Sequence, residues 1–236
     1  MTVCMILLGL GALALIWYVR EKSRAYSVKA LFLKALVSTL FVSVAVCGWY
    51  AATGLRGLQP LGVFVILGLL FGLLGDVWLD CKYVFPEKDL PFTVAGFVSF
   101  GAGHVLFILG LLLQYSEGSL WTVLLPFALA LLLSLGNAAL EKPMKLHFGK
   151  LKPIVIVYGF LLFSMLLTAG AQALLHGWRV PTLNLFFIGG ALFTLSDLVL
   201  SGTYFGEGHE RTRDFIANYV FYYGGQFLIA LSLLYL

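Results

Sequence analysis

Two aspartates, Asp76 and Asp197, sit inside runs of apolar residues long enough to cross a bilayer. A charged side chain at that depth costs about 2.5–3.5 kcal/mol on insertion scales and more in simulations, so each marks a candidate site. Two carboxyls sharing a low-dielectric pocket do not both ionise cheaply. One then stays protonated and serves as an acid, while the other serves as a base or stabilises a developing cation. That arrangement suits acid-catalysed cleavage of an ether-like bond. His104, near the middle of a glycine-rich apolar run, is the third catalytic candidate. Lys34, Tyr158, Asn184, Ser196, Tyr223 and Gln226 are the polar side chains expected to bind a substrate. Plainer roles compete with these. Asp76 can simply pair with Lys34, a lone buried His can bond a backbone carbonyl, and Gln226 can serve for packing or positioning.

Other chemistries have no signature here. There is no HExxH and no phosphate-binding loop. No GxSxG elbow surrounds a serine, and Ser196 has no evident His partner, so a serine-hydrolase mechanism is not supported. His147, His176 and His209 fall in loops on both sides and are not expected to converge with His104 on a metal. The three cysteines, Cys4, Cys47 and Cys81, are too scattered for a thiolate site or a disulfide framework. Neither a metal nor a cofactor is expected.

The elements that must hold these residues follow from composition. The 236 residues are 61% hydrophobic and 11% charged, against about 45–50% and about 25% in a soluble domain. So little charge cannot cover a water-facing surface, and lipid is the solvent that tolerates it. Eight apolar runs approach the roughly 20 residues a helix needs to span the hydrocarbon core. They are Val3–Val19, Val28–Trp49, Leu61–Leu79, Phe92–Leu113, Leu120–Ala139, Ile154–Leu175, Pro181–Thr203 and Phe215–Tyr235. The runs are too long and too uniformly apolar for the alternating pattern of a barrel strand. The expected fold is an all-α integral membrane protein, a single domain of eight transmembrane helices. The first run lacks a basic leader and a cleavage site, and reads as a retained helix.

Charge sets the orientation. Arg20, Lys22, Arg24, Lys29, Lys34, Lys82, Lys88, Lys142, Lys145, Lys150, Lys152, Arg211 and Arg213 lie on one side, and only Arg56 and Arg179 on the other. The positive-inside rule makes the crowded side cytoplasmic and sends both termini outward. A net charge of +4 spread over separate loops does not make a nucleic-acid surface. Asp80, Glu87, Lys88 and Asp89 read as a solvated turn, as do Glu207, Glu210, Arg211, Arg213 and Asp214. Trp17, Tyr18, Trp49, Tyr50, Trp121 and Trp178 stand at span ends and read as interface anchors.

A weak internal repeat runs through these positions. Lys34 and Lys152, Asp76 and Asp197, and His104 and Gln226 are offset by 118, 121 and 122 residues. A four-helix repeat preserves orientation, so two parallel halves, 1–115 and 116–236, are expected. Any two glycine-rich membrane helices share such patterns, which is the plainer account.

The ordered motifs resemble one family. Gly75-Asp76-x-x-Leu79, His104 in its glycine-rich run and Tyr158-Gly159 are joined by Gly190-Ala191-Leu192-Phe193-Thr194-Leu195-Ser196-Asp197. Tyr222-Tyr223-Gly224-Gly225-Gln226-Phe227-Leu228-Ile229 completes the set. From the second helix to the eighth the chain is similar to the YhhN-type membrane proteins, which include the lysoplasmalogenases. The resemblance implies eight helices and a hydrolase that cleaves the vinyl ether of lysoplasmalogen, a lysophospholipid, to a fatty aldehyde and a glycerophospho-base. It implies Asp76, Asp197, His104, Tyr158, Gln226 and Lys34 as the site. Two positions depart from the family's usual pattern. Ala35 follows Lys34 where Pro is common, and Gly225 precedes Gln226 where Ala is common. These departures bear on the substrate more than on the fold.

Head-group groups are expected near Lys34, Lys152 and the basic loops, with the amphiphile entering from the cytoplasmic leaflet of a bacterial inner membrane. A lipid or small-molecule transporter or flippase, and a non-catalytic lipid-binding protein, also suit buried polar residues in glycine-rich helices.

Overall fold

The computed structural model describes residues 2–24, 27–54, 58–116, 120–206 and 212–236. The loop residues Arg56, Glu207, His209, Glu210 and Arg211, and the side chain of Arg213, lie outside them. The described residues form eight long helices: α1 Thr2–Lys22, α2 Val28–Thr53, α3 Pro60–Val84, α4 Asp89–Tyr115, α5 Leu120–Ala139, α6 Lys152–Leu175, α7 Pro181–Phe205 and α8 Thr212–Ser232. Among the described residues there is no strand, only an isolated bridge between Leu146 and Gly206.

Local chemistry sets the helix ends. Pro60 and Pro181 open α3 and α7 at the first helical position, where a missing N–H costs nothing. Ser27 caps α2, its hydroxyl accepting from the Ala30 amide at 3.2 Å. Gly54 closes α2 with φ 59°, a left-handed conformation suited to glycine. At 20 to 27 residues, the helices run about 30–40 Å, the span of a bilayer core.

Seven of the eight, α1 to α7, are long and apolar enough to cross a membrane. The sequence led us to expect eight. α8 has the length, but Asn218, Tyr219, Tyr222, Tyr223 and Gln226 dilute its apolar character. Seven such helices fit a multi-pass membrane protein. Their outward residues agree: Val3, Ile6 and Leu13 of α1 and Leu125, Leu132 and Leu135 of α5 are exposed. In water such faces are a liability; against lipid they are solvated.

The helices group into two compact units. The first holds Met1–Gly110 and Ala230–Leu236, the second Leu111–Ile229. In the first, α2 packs against both α1 and α3, and Gly68 of α3 meets Gly103 of α4. A Cβ on Gly103 would lie 2.9 Å from the Gly68 carbonyl oxygen. In the second, α6 packs between α5 and α7, and Gly225 of α8 meets Gly189 of α7. A Cβ on Gly225 would lie 2.7 Å from the Gly189 carbonyl oxygen and 2.9 Å from the Phe193 amide. Those are backbone atoms that cannot swing aside, so the two helices hold their spacing only while both sites lack a side chain.

G225A is therefore expected to lower stability by about 1–3 kcal/mol through overpacking. G136A, on a face with nothing within 4 Å, is the matched control and is expected to be harmless. Thermal unfolding in detergent compares them, and equal melting temperatures would contradict the close α7–α8 approach.

Two anchors from the sequence turn out to be interior. Trp17, Tyr50, Trp121 and Trp178 are exposed, but Trp49 is buried over Gly62 and Tyr18 is wholly buried. Outside the spans, Glu141 ties the α5–α6 connection together. It accepts from Lys152 at 2.7 Å and from the Phe148 amide at 2.9 Å. The Lys152 hydrogen bond first, and the Phe148 amide second, hold its carboxyl below the usual 4.5. Lys152 thus spans the connection from the start of α6 to Glu141.

Candidate active site

In the first unit, three helices each offer a polar pair spaced i, i+4: Tyr18 and Lys22 on α1, Lys34 and Ser38 on α2, Asp76 and Asp80 on α3. That spacing puts both members on one helix face. The three faces meet. Ser38 donates to Asp76 Oδ2 at 2.6 Å, and Lys34 Nζ lies 3.3 Å from Asp76 Oδ1. Lys34 also reaches Asp80 Oδ1 at 3.4 Å. Lys22 Nζ reaches the same oxygen at 2.9 Å, and the Tyr18 hydroxyl donates to Asp80 from 3.3 Å. Lys22 also sits over the Tyr83 ring, 4.1 Å from its centroid.

Burial makes this network costly to break. Lys22 is 5% exposed, Lys34 4%, Asp76 1% and Asp80 2%. A charge taken out of water is tolerable only beside its opposite and with its remaining hydrogen bonds met. Two lysines against two aspartates leave the network neutral.

Asp80 was expected in a solvated turn, and this placement corrects that. α3 continues past Leu79 to Val84, which carries Asp80 inward on the same face as Asp76. Glu87 and Lys88 are exposed, as expected of that turn, while Asp89, also exposed, opens α4.

His104, also in this unit, is buried on α4, with its ring 6.3 Å from that of Phe107. Among the described residues, no three His, Cys, Asp or Glu side chains gather as a metal site.

The second unit holds the other carboxyl. Asp197 of α7 accepts a hydrogen bond from the hydroxyl of Tyr158 on α6, both part-buried. One turn of α7 carries Ser196 beside it. Asn218 of α8 donates to the Ser196 carbonyl at 2.9 Å and lies 3.0 Å from its hydroxyl oxygen. Asn218 thereby clips α8 to the turn that presents Asp197. Further along α8, Gln226 donates to the Tyr222 hydroxyl at 3.2 Å. Tyr223 is fully buried between Tyr219 and Tyr222. Asn184 stands apart. It lies 13 residues before Asp197, about 20 Å along the helix. Its amide donates to the Trp178 carbonyl at 2.8 Å, bracing the α6–α7 connection.

The structure therefore joins Asp76 to Lys34 in the first unit and Asp197 to Tyr158 in the second, and within the second it leaves Asn184 away from Asp197. It adds Tyr18, Lys22, Ser38, Asp80 and Asn218, which lie outside the motifs, and gives Tyr222 of the last motif a partner in Gln226.

The polar groups named by the motifs are thus built into the long helices. The YhhN family model matches residues 26–233. The chain belongs to the YhhN family. Neither a curated protein nor a solved structure matches it. YhhN is the family of the lysoplasmalogenases, and membership points broadly to a hydrolase. The matched span takes in α2 to α8 and so includes Asp76, Asp197, His104, Tyr158 and Gln226. It leaves α1, with Tyr18 and Lys22, outside. Gly225, just before the Gln226 of α8, is the residue that meets Gly189.

Proposed function

We propose that this YhhN protein is a lysoplasmalogenase, which hydrolyses the vinyl ether of a lysoplasmalogen with Asp76 and Asp197 as its two working carboxyls. The supporting observation is that a chain of this family keeps both carboxyls within its helices, each already hydrogen-bonded. Asp76 accepts from Ser38 and Lys34, and Asp197 from Tyr158.

The chemistry needs a proton and a water. The acid protonates the outer alkene carbon, and the adjoining carbon becomes an oxocarbenium ion. Water adds to that cation while a base takes the water's proton. The hemiacetal then collapses, releasing a fatty aldehyde and the glycerophospho-base. One water is consumed and no electrons change hands. Asp76, whose oxygens already accept from two donors, suits the carboxylate that stabilises the cation and activates water. Asp197, which accepts from the Tyr158 phenol, is the other candidate carboxyl. Gln226, Tyr223 and Ser196 supply polar contacts to the substrate, and His104 an additional proton-transfer group. α8 is the eighth span, the termini lie on the outer side, and the membrane is a bacterial inner membrane.

Purified protein incubated with lysoplasmalogen is expected to release fatty aldehyde, and none from a lysophospholipid with an ordinary acyl or alkyl chain. Absence of aldehyde together with uptake of the lipid into liposomes would replace hydrolysis with transport.

A further inference from the structure

Asp80 is engaged by two lysines, although the proposed reaction calls on neither Asp80 nor Lys22. Its Oδ1 lies 2.9 Å from Lys22 and 3.4 Å from Lys34. Lys34 lies 3.3 Å from Asp76, so one ammonium is divided between two carboxylates. Which carboxylate holds it depends on how well Asp80 is satisfied elsewhere. Lys22 is the nearer cation, and Tyr18 adds a hydroxyl at 3.3 Å. With Asp80 neutralised from α1, the pull on Lys34 slackens and Asp76 keeps its partner. Lys82, 3.6 Å from Asp89, adds a further positive charge near Asp80 that none of the variants below alters.

We infer that Lys22 and Asp80 are positioning residues that hold Lys34 on Asp76, which makes α1 part of the site although it precedes the matched family span. The inference rests on the proposed role of Asp76.

The charges predict a pattern that a simple structural brace does not. In K22M the network carries one excess negative charge, and Asp80 draws Lys34 away from Asp76. In D80N it carries one excess positive charge, and Lys22 competes for Asp76. In K22M/D80N the charge balance returns, and Asp80 no longer competes with Asp76 for Lys34. Each single variant is expected to lower kcat by about tenfold or more with KM nearly unchanged, while the double variant recovers most of the loss, as coupled residues do. K22R, which keeps the charge, is expected to stay near wild type. K22M, if it does not fold, is replaced by the comparison of K22R, D80N and the double variant.

An infrared measurement reads the same network without turnover. The carboxyl band that disappears in D76N is expected to shift in K22M and in D80N, and to return in the double variant. Loss of stability in the single variants with unchanged kcat and an unmoved band would overturn the inference, as would a double variant no better than the singles. If the wild type forms no aldehyde but the band moves as described, the proposed reaction falls and the positioning role stands.

Discussion

D76N is expected to lower turnover of lysoplasmalogen by at least about a hundredfold, the usual scale for removing a positioned acid or base. The replacement is close to isosteric. Ser38, now 2.6 Å from Asp76 Oδ2, still finds a carbonyl oxygen to donate to. Lys34 still has Asp80 at 3.4 Å, so no lysine is stranded in the membrane. What disappears is the charge that would face the developing cation and take the proton from water. D197N is expected to have a comparable effect, because Tyr158 can donate to an amide oxygen but gains no ionisable partner. Rates at saturating lipid, with folded yield checked by size-exclusion chromatography, make the test. If both variants turn over like the wild type, Asp76 and Asp197 are not the working pair.

K34M is expected to show the largest effect on stability. Two carboxylates, 1% and 2% exposed, would then lose the lysine they share. Removing one partner of a buried ion pair costs about 3–5 kcal/mol, a large part of the about 5–15 kcal/mol that holds a typical fold. The loss comes from a charge left without its opposite, not from the missing contact. K34M/D76N should therefore melt above K34M, even though it removes a second interaction. Thermal unfolding in detergent, followed by tryptophan fluorescence, separates these outcomes. A K34M protein that melts with the wild type would mean that the network contributes no net stability.

How much of this could be seen in the sequence differs between helices and site. The apolar runs located all eight helices, and α5 begins and ends where its run does. α3 and α4 extend further because their terminal charges were taken for loop. Lys82 and Asp89 instead belong to the helix ends, where they meet each other at 3.6 Å. The same judgement hid Asp80. A charge near a span end is solvated in most membrane proteins, and nothing local distinguishes the exception. Asp80 is met by Tyr18, 62 residues away in the chain, and no spacing within α3 reveals a partner on α1. The polar pairs at i, i+4 on α1, α2 and α3 were the available signal. Each, taken alone, resembles chance. Tyr18 was obscured in the same way, because a tyrosine near a span end ordinarily anchors at the interface. Asp197 and Tyr158 were easier, since both stand well inside apolar runs where any polar side chain is conspicuous. Asn218, near the start of α8, is not, and only its contact with Ser196 identifies it.

The order of charges along the chain also bears on how the protein is made. Lys22 and Lys34 leave the ribosome before Asp76 and Asp80, and chains enter the membrane N-terminus first. A lysine waiting near a helix end can extend its long stem and keep its ammonium in water. An aspartate, with one methylene, has no such reach. The cations are therefore in place, and cheaply held, when the carboxylates that need them arrive on α3. The reverse order would leave short acidic side chains stranded in lipid during synthesis.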